Sequence, residues 1–234
     1  MLAIADVERE PNTPGWTVRV VPNLYPVLDR HEVVIHSPRH VRTFAELEDS
    51  ELDAVATAWV QRMQTAQRRD FGRGNRGRYV HAFINEGRAA GASLAHSHSQ
   101  LVWLPHTPPV IEVEQARESG VQEAMSHAGL EVSSSDGLVA VVHPAGRVPY
   151  ETLIAGREPG AFPFVQALLL LRDVVRRLRA VEGAVPWNAW LHGTSRPHIE
   201  VVPRLTLFAG IELGAGVYVN TLPPEEAALR LREA

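Results

Sequence analysis

The chain of 234 residues has a formal net charge of −4 and contains neither cysteine nor lysine. Without cysteine it can form no disulfide, thiolate nucleophile or iron–sulfur cluster. Without lysine it can form neither a Walker A phosphate loop nor a Schiff base. The acidic charge and the lack of a basic stripe argue against nucleic acid as its main partner. The side chains left for catalysis are histidine, of which there are eleven, carboxylates, serine and tyrosine.

No segment has the pattern of a targeting or membrane-spanning sequence. The first nine residues lack a basic stretch followed by an apolar one, which a signal peptide would need. The apolar run at residues 167–171 is far too short to cross a bilayer. We therefore expect a cytoplasmic protein with no membrane partner.

The first half of the chain predicts strands on either side of one helix. Residues 18–21 and 32–36 are rich in β-branched side chains and predict two strands. Apolar side chains at helical spacing predict a helix over residues 52–63. Two further strands, at residues 79–85 and 101–104, are separated by a loop over residues 86–99.

The same order of elements recurs in the second half. The pattern there predicts a strand at 138–142, an extended segment at 149–154, a helix at 164–181 and strands at 187–192 and 198–202. Residues 105–112 predict a linker, residues 133–137 a turn, and the tail from residue 223 a short helix. The repeated order predicts an α+β fold of two tandem units, residues 1–108 and 109–234, each an antiparallel sheet with a packed helix.

The densest group of polar side chains lies in a glycine-rich loop, residues 85–100, with the sequence NEGRAAGASLAHSHSQ. Small residues let a backbone approach a ligand closely, and successive N–H groups can bind an anion. With no thiol or lysine present, a histidine is the best candidate nucleophile. A neutral imidazole can attack phosphorus if its other nitrogen donates to a fixed acceptor. A glycine-rich loop with two structural histidines is the alternative.

The pattern Asn-x-Gly-x-x-x-Gly-Ala-Ser-x-x-His-x-His-x-Gln in this loop resembles the active-site motif of the galactose-1-phosphate uridylyltransferase branch of the histidine-triad superfamily. The similarity continues in the segments at residues 20–26, 37–40, 198–204, 209–212 and 220–232. It thus covers the chain from about Trp16 onward. The resemblance implies two tandem histidine-triad-like units, with the active-site motif in the first, and a short form that lacks the family's N-terminal Cys-x-x-Cys segment.

The resemblance also implies a two-step nucleotidyl transfer. His98 would attack the α-phosphorus of a nucleotide sugar and expel a sugar 1-phosphate, and a second phosphate acceptor would then take the nucleotide. A backbone carbonyl near His96 would orient His98. The residues implied to bind substrate are Asn23, Asn85, Gly91, Ala92, Ser93, Gln100 and Glu212. The family's usual homodimer is expected, and no organic cofactor.

Two metal sites of the family have partial counterparts here. His40 and His96 match two zinc ligands whose cysteine partners are absent, so we expect hydrogen-bonded structural histidines, with zinc as the alternative. A second site, for zinc or iron, matches Glu112 or Glu114 with His192, His198 and Glu200. A polar cluster without metal is an equally open interpretation of that second set.

Two other functions stay open on the same residues. A phosphorylase or hydrolase of nucleotide sugars or dinucleotides would use the same histidine with phosphate or water as acceptor. A degenerate nucleotide-binding module would use the pocket without the chemistry. The base and the sugar are not fixed by the sequence, because several family residues expected around them are not matched.

Overall fold

The computed structural model describes residues 3–7, 10–71, 79–117, 120–160 and 162–234. Within them a ten-stranded antiparallel sheet has the spatial order β1-β2-β3-β5-β4-β9-β10-β8-β7-β6. Its strands are β1 (Ala5–Asp6), β2 (Arg19–Pro22), β3 (His31–Ile35), β4 (Tyr79–Glu86), β5 (His98–Leu104), β6 (Glu131–Ser135), β7 (Leu138–Val142), β8 (Thr152–Gly156), β9 (Trp187–His192) and β10 (His198–Pro203).

The helices are α1 (Asp49–Phe71), α2 (Pro109–Ala116), α3 (Gly120–Ser126), α4 (Phe164–Glu182), α5 (Gly210–Ala215) and α6 (Pro224–Arg232), with 3-10 turns at Phe44–Glu46 and Arg88–Ala90. Helix α4 buries one apolar stripe, which includes Leu168, Leu171 and Val175, and it ends at Gly183 with a positive φ of 77°. None of the described helices is both long and apolar enough to cross a membrane.

The predicted α+β class is confirmed, and the order of elements repeats. The series β2-β3-α1-β4-β5 recurs as β7-β8-α4-β9-β10. The sheets of the two predicted units join in one continuous sheet, because β4 and β9 pair from Ala82↔Leu191 to Glu86↔Trp187. Helices α1 and α4 contact each other, and one core takes Trp59 from the first half with Leu171 and Trp187 from the second.

Two segments between the halves differ from the prediction. The expected linker contains the start of α2, with Pro109 in the first helical turn, where a missing N–H costs nothing. The expected turn at 133–137 is mostly strand, because Ser133–Ser135 pair with β7. Only Asp136 and Gly137, with φ of 47° and 82°, form the connecting turn. Local composition predicted a linker and a turn. The structure has a helix in the first segment and strand pairing with β7 in the second.

One face of the central strands packs in the core, and the other carries the candidate site residues. Ala82, Ala189 and Ile199 belong to the core beneath the helices. Because side chains alternate along a strand, their neighbours point to the opposite face. That face carries His98 and Gln100 from the first half and His192, His198 and Glu200 from the second.

Candidate active site

His98 is the first residue of β5 and is 7% exposed. Its Nδ1 lies 2.7 Å from the carbonyl oxygen of His96. A carbonyl only accepts hydrogen bonds, so Nδ1 carries the proton and Nε2 keeps its lone pair. This is the contact that the resemblance implies for orienting His98, and it gives the tautomer that a nucleophilic imidazole needs.

The loop before His98 depends on two glycines with positive φ. Gly87 and Gly91 have φ of 85° and 87°, and a 3-10 turn lies between them. A Cβ on Gly87 would lie 2.9 Å from the Cβ of Pro186. The loop therefore packs on the second half of the chain at a distance that only glycine allows.

A pocket of about 930 Å³ opens beside this loop. Six of the predicted site residues line it: Asn85, Gly91, Ala92, Ser93, His96 and His98. Arg42, Arg88 and Arg179 also line it, and in the described part of the chain none of these three is ion-paired with a carboxylate. The pocket thus brings the candidate nucleophile His98 together with cationic side chains of the kind that attract phosphate.

Asn23 and Gln100 both contact His31, a residue that the sequence did not single out. The Val27 N–H donates to Nδ1 of His31 over 3.3 Å, so the ring proton lies on Nε2 and donates to Oε1 of Gln100 over 2.8 Å. The Nδ2 of Asn23 lies 3.2 Å from Nδ1 of His31, the ring nitrogen that accepts. Burial lowers the pKa of His31, which keeps the ring neutral.

His36 is a second buried histidine that sequence reasoning missed. It is fully buried, its Nδ1 lies 3.0 Å from the Oγ of Ser97, and its ring packs edge-on against Phe44. Burial, reinforced by His98 and His96, lowers its pKa well below 6.5. The neutral ring therefore supports the segment between His96 and His98 without adding charge to it.

Glu212 and the His40–His96 pair have contacts of their own. Glu212 does not line the pocket, and its carboxylate accepts the N–H of Ala209 at the start of α5. The rings of His40 and His96 lie 5.7 Å apart, and Nε2 of His96 contacts the carbonyl of Ser37. In the described chain no third His, Asp or Glu joins this pair in a metal-binding group. Zinc there stays a prediction.

The second half brings together Glu114, His192, His198 and Glu200, whose ligand atoms all lie within 4.8 Å of one another. Glu114 is the glutamate of α2 that joins them, because Glu112 lies on the exposed side of that helix. Nδ1 of His192 lies 2.8 Å from Glu114, and Nε2 of His198 lies 4.0 Å from Glu200. Two imidazoles and two carboxylates at these spacings could hold a divalent metal ion.

This cluster is the repeat's counterpart of the His98 site. Nδ1 of His198 lies 3.0 Å from the carbonyl of Arg196, two residues back, just as His98 contacts His96. Glu200 follows His198 as Gln100 follows His98. His192 pairs across from His198, and the β4–β5 register continued by two residues places Asn85 opposite His98. Equivalent strand positions in the two halves therefore carry different side chains, an amide in one and a carboxylate in the other.

Comparison with known proteins supports the resemblance that the sequence suggested. Residues 26–108 match the family model described as galactose-1-phosphate uridyl transferase, N-terminal domain. The predicted resemblance to the galactose-1-phosphate uridylyltransferase-like branch is confirmed. The chain is 25% identical to ADP-glucose phosphorylase of Arabidopsis thaliana over 94% of its own length and 75% of that protein. It is 26% identical to galactose-1-phosphate uridylyltransferase of Thermotoga maritima, over 86% and 73%.

The fold is similar to that of a solved nucleotide-sugar enzyme. The crystal structure of ADP-glucose phosphorylase from Arabidopsis thaliana with bound ADP-glucose superposes with a TM-score of 0.84 at 24% identity. The match covers 96% of this chain and 84% of that one. The chain is therefore similar in sequence to a phosphorylase and a uridylyltransferase, and it shares the fold of the solved phosphorylase.

Proposed function

We propose that this protein transfers a nucleoside monophosphate from a nucleotide sugar to a phosphate-bearing acceptor through a covalent intermediate on Nε2 of His98. The observation that carries the proposal is the 2.7 Å contact between Nδ1 of His98 and the carbonyl of His96. It leaves Nε2 as the unprotonated nitrogen in a pocket lined by arginines.

In the first step the Nε2 lone pair forms a bond to the α-phosphorus. The bond from that phosphorus to the bridging oxygen breaks, and the sugar 1-phosphate leaves with the electron pair. In the second step a phosphate oxygen of the acceptor attacks the same phosphorus, and the P–N bond breaks to restore the lone pair of His98. Nδ1 keeps its proton throughout. Its N–H donates a hydrogen bond to the carbonyl of His96, which stabilises the positive charge that develops on the ring.

The substrate-binding roles follow from the donors around the loop. Asn85, Ser93 and Gln100 would donate to the phosphoryl oxygens, and the backbone of Gly91 and Ala92 would allow close approach. Asn23 beside His31 belongs to the nucleoside side. Glu212 would contact sugar hydroxyls, in keeping with the resemblance.

Two classes of compound are candidates for the acceptor of the nucleotidyl group in the second step. A sugar 1-phosphate acceptor makes the protein a hexose-1-phosphate uridylyltransferase-like enzyme. Orthophosphate makes it a nucleotide-sugar phosphorylase, and this second candidate is favoured by the relative and the solved structure named ADP-glucose phosphorylase. Both use the same first half-reaction.

The test is to incubate the protein with radiolabelled UDP-glucose or ADP-glucose and to look for a nucleotidyl adduct by intact mass. We expect an adduct that survives base, is labile in acid and is absent from His98→Asn. The exposed His106→Asn is the matched control and should keep it. Adding galactose 1-phosphate or orthophosphate then identifies the acceptor by which one discharges the adduct. Nucleotide-sugar binding without any adduct would overturn the covalent transfer in favour of a binding module.

For the second half we propose a structural zinc or iron ion held by Glu114, His192, His198 and Glu200. The donor set fits, because Nδ1 of His198 is occupied by the carbonyl of Arg196 and its Nε2 points to the two carboxylates. One oxygen of Glu200 accepts from Arg147 at 2.7 Å, which leaves its other oxygen for the ion. A bound ion would cross-link α2, β9 and β10.

A further inference from the structure

We propose that Asn188, a residue of the second unit, sets the orientation of the Asn85 amide so that its NH₂ group faces the phosphoryl group. Asn188 is then a positioning residue for the first unit's active site. The inference rests on the proposed function for its chemical consequence.

A backbone carbonyl fixes the orientation of both amides. The side-chain nitrogen of Asn188 lies 2.8 Å from the carbonyl oxygen of Ala90, which can only accept, so this atom must be the NH₂ group. The same nitrogen lies 2.8 Å from the side chain of Asn85. A donor requires an acceptor there, so the contacted atom is Oδ1 of Asn85.

The consequence for Asn85 is that its oxygen is engaged and its nitrogen is left for other partners. That nitrogen lies beside Gly91, where an added Cβ would be 3.7 Å away, and Asn85 lines the pocket of His98. Phosphoryl oxygens are acceptors only. A flipped Asn85 would therefore present the wrong end of its amide to them.

Asn188 occupies this place because the two halves share one sheet. Asn85 and Asn188 are directly opposite in the β4–β9 pairing, at the junction of the two units. The second contact, to Ala90, ties the 3-10 turn of the loop to the same side chain. A single amide thus joins the second unit to both the ligand-binding side chain and the loop that carries it.

The experiment compares Asn188→Ala and Asn188→Asp with the wild type in two measurements. One is the rate of adduct formation at saturating nucleotide sugar, and the other is the affinity for AMP and UMP by titration calorimetry. We expect Asn188→Ala to lower the rate by about 10-fold, because Asn85 is then free to rotate. Asn188→Asp should lower it by about 100-fold, because its carboxylate would accept from Asn85 and turn Oδ1 toward the phosphate.

A double-mutant cycle separates positioning from a merely structural role. In the Asn85→Ala background, Asn188→Ala should change the rate by less than about 2-fold, since coupled residues are not additive. The matched control is Asn220→Ala, which also removes an amide donating to two carbonyls, those of Gly146 and Val148, away from this pocket. It should shift Tm without changing the rate.

Each outcome decides something. Equal losses from Asn188→Ala in both backgrounds would overturn the positioning role. A wild type that binds AMP or UMP without forming an adduct overturns the proposed covalent step alone. The role of Asn188 is then tested by the nucleotide affinities, which should fall from the wild type to Asn188→Ala and further to Asn188→Asp. Affinities unchanged in both Asn188 variants overturn its role, and a wild type that binds neither nucleotide overturns both proposals.

Discussion

At the scale of single residues, each amide of the proposed phosphate-binding set is oriented by a fixed donor. His31 donates to the oxygen of Gln100, and Asn188 donates to the oxygen of Asn85, so both amides turn their NH₂ groups outward. His98 has its own fixed partner in the carbonyl of His96. Such preorganisation is how phosphoryl-transfer sites stabilise charge without reorganising during the reaction.

The buried histidines make stability depend on pH. Burial holds the pKa of His36 well below its unfolded value of 6.5. Below pH 6.5 His36 is therefore protonated in the unfolded chain and still neutral in the folded chain. The stability that neutral His36 contributes to the fold is therefore fully present above pH 6.5. It is lost as the pH falls below 6.5 toward the pKa of His36 in the folded chain. The free energy of unfolding should fall by up to about 1.4 kcal/mol per pH unit for this histidine.

The measurement is urea unfolding at several pH values between 7 and 5. His36→Phe should reduce the slope over this range, since Phe does not titrate. Among the described residues this variant loses only the contact of Nδ1 with the Oγ of Ser97, because Nε2 has no hydrogen-bond partner there. His127→Phe, at an exposed position, should leave the slope as it is. Identical slopes in the wild type and His36→Phe would contradict the assignment.

At the scale of elements, the same order of strands and helix carries two different polar clusters. His98 and His198 begin equivalent strands and have the same contact to the carbonyl two residues back. The first unit then follows its histidine with an amide, and the second follows it with a carboxylate. Neutral donors suit a phosphoryl group, whereas carboxylates with histidines suit a cation.

Metal removal tests this division. We expect near-stoichiometric zinc or iron in the purified protein, and a lower Tm after chelation, because an ion that binds only the folded chain stabilises it by about 2.7 kcal/mol at 100-fold excess over its Kd. His198→Ala should abolish metal binding. Glu112→Ala, on the exposed side of the same helix as Glu114, is the control and should retain the metal. Absence of metal together with no effect of chelator would contradict the site.

At the scale of the whole molecule, apolar side chains remain exposed near the C-terminal end. Leu207 and Leu213 are 89% and 77% exposed, and Tyr25 is 81% exposed in the loop after β2. A second copy of the chain would remove such side chains from water. The homodimer implied by the resemblance stays a prediction, and these residues are where we expect it to form.

Sedimentation velocity provides the measurement. The wild type should sediment as a dimer at micromolar concentration. Leu207→Glu combined with Leu213→Glu should give monomers, because each buried leucine contributes about 1.5–3 kcal/mol. Leu229→Glu, on a half-exposed position of α6, should remain dimeric. A monomeric wild type would contradict the prediction.

The sequence by itself determined the repeated order of strands and helices, the glycine-rich loop and the choice of His98. Periodicity specified β7, β9 and α4 closely, because apolar spacing and backbone flexibility are local properties. It failed at the serine strand β6 and at helix α2, where pairing and packing overrode composition. Only the tertiary structure decided that the two units share one sheet, that Glu114 joins the metal cluster, and that Asn188 and His31 orient the amides at the site. Those facts depend on residues brought together across up to about a hundred positions of chain, a relation that no local pattern encodes.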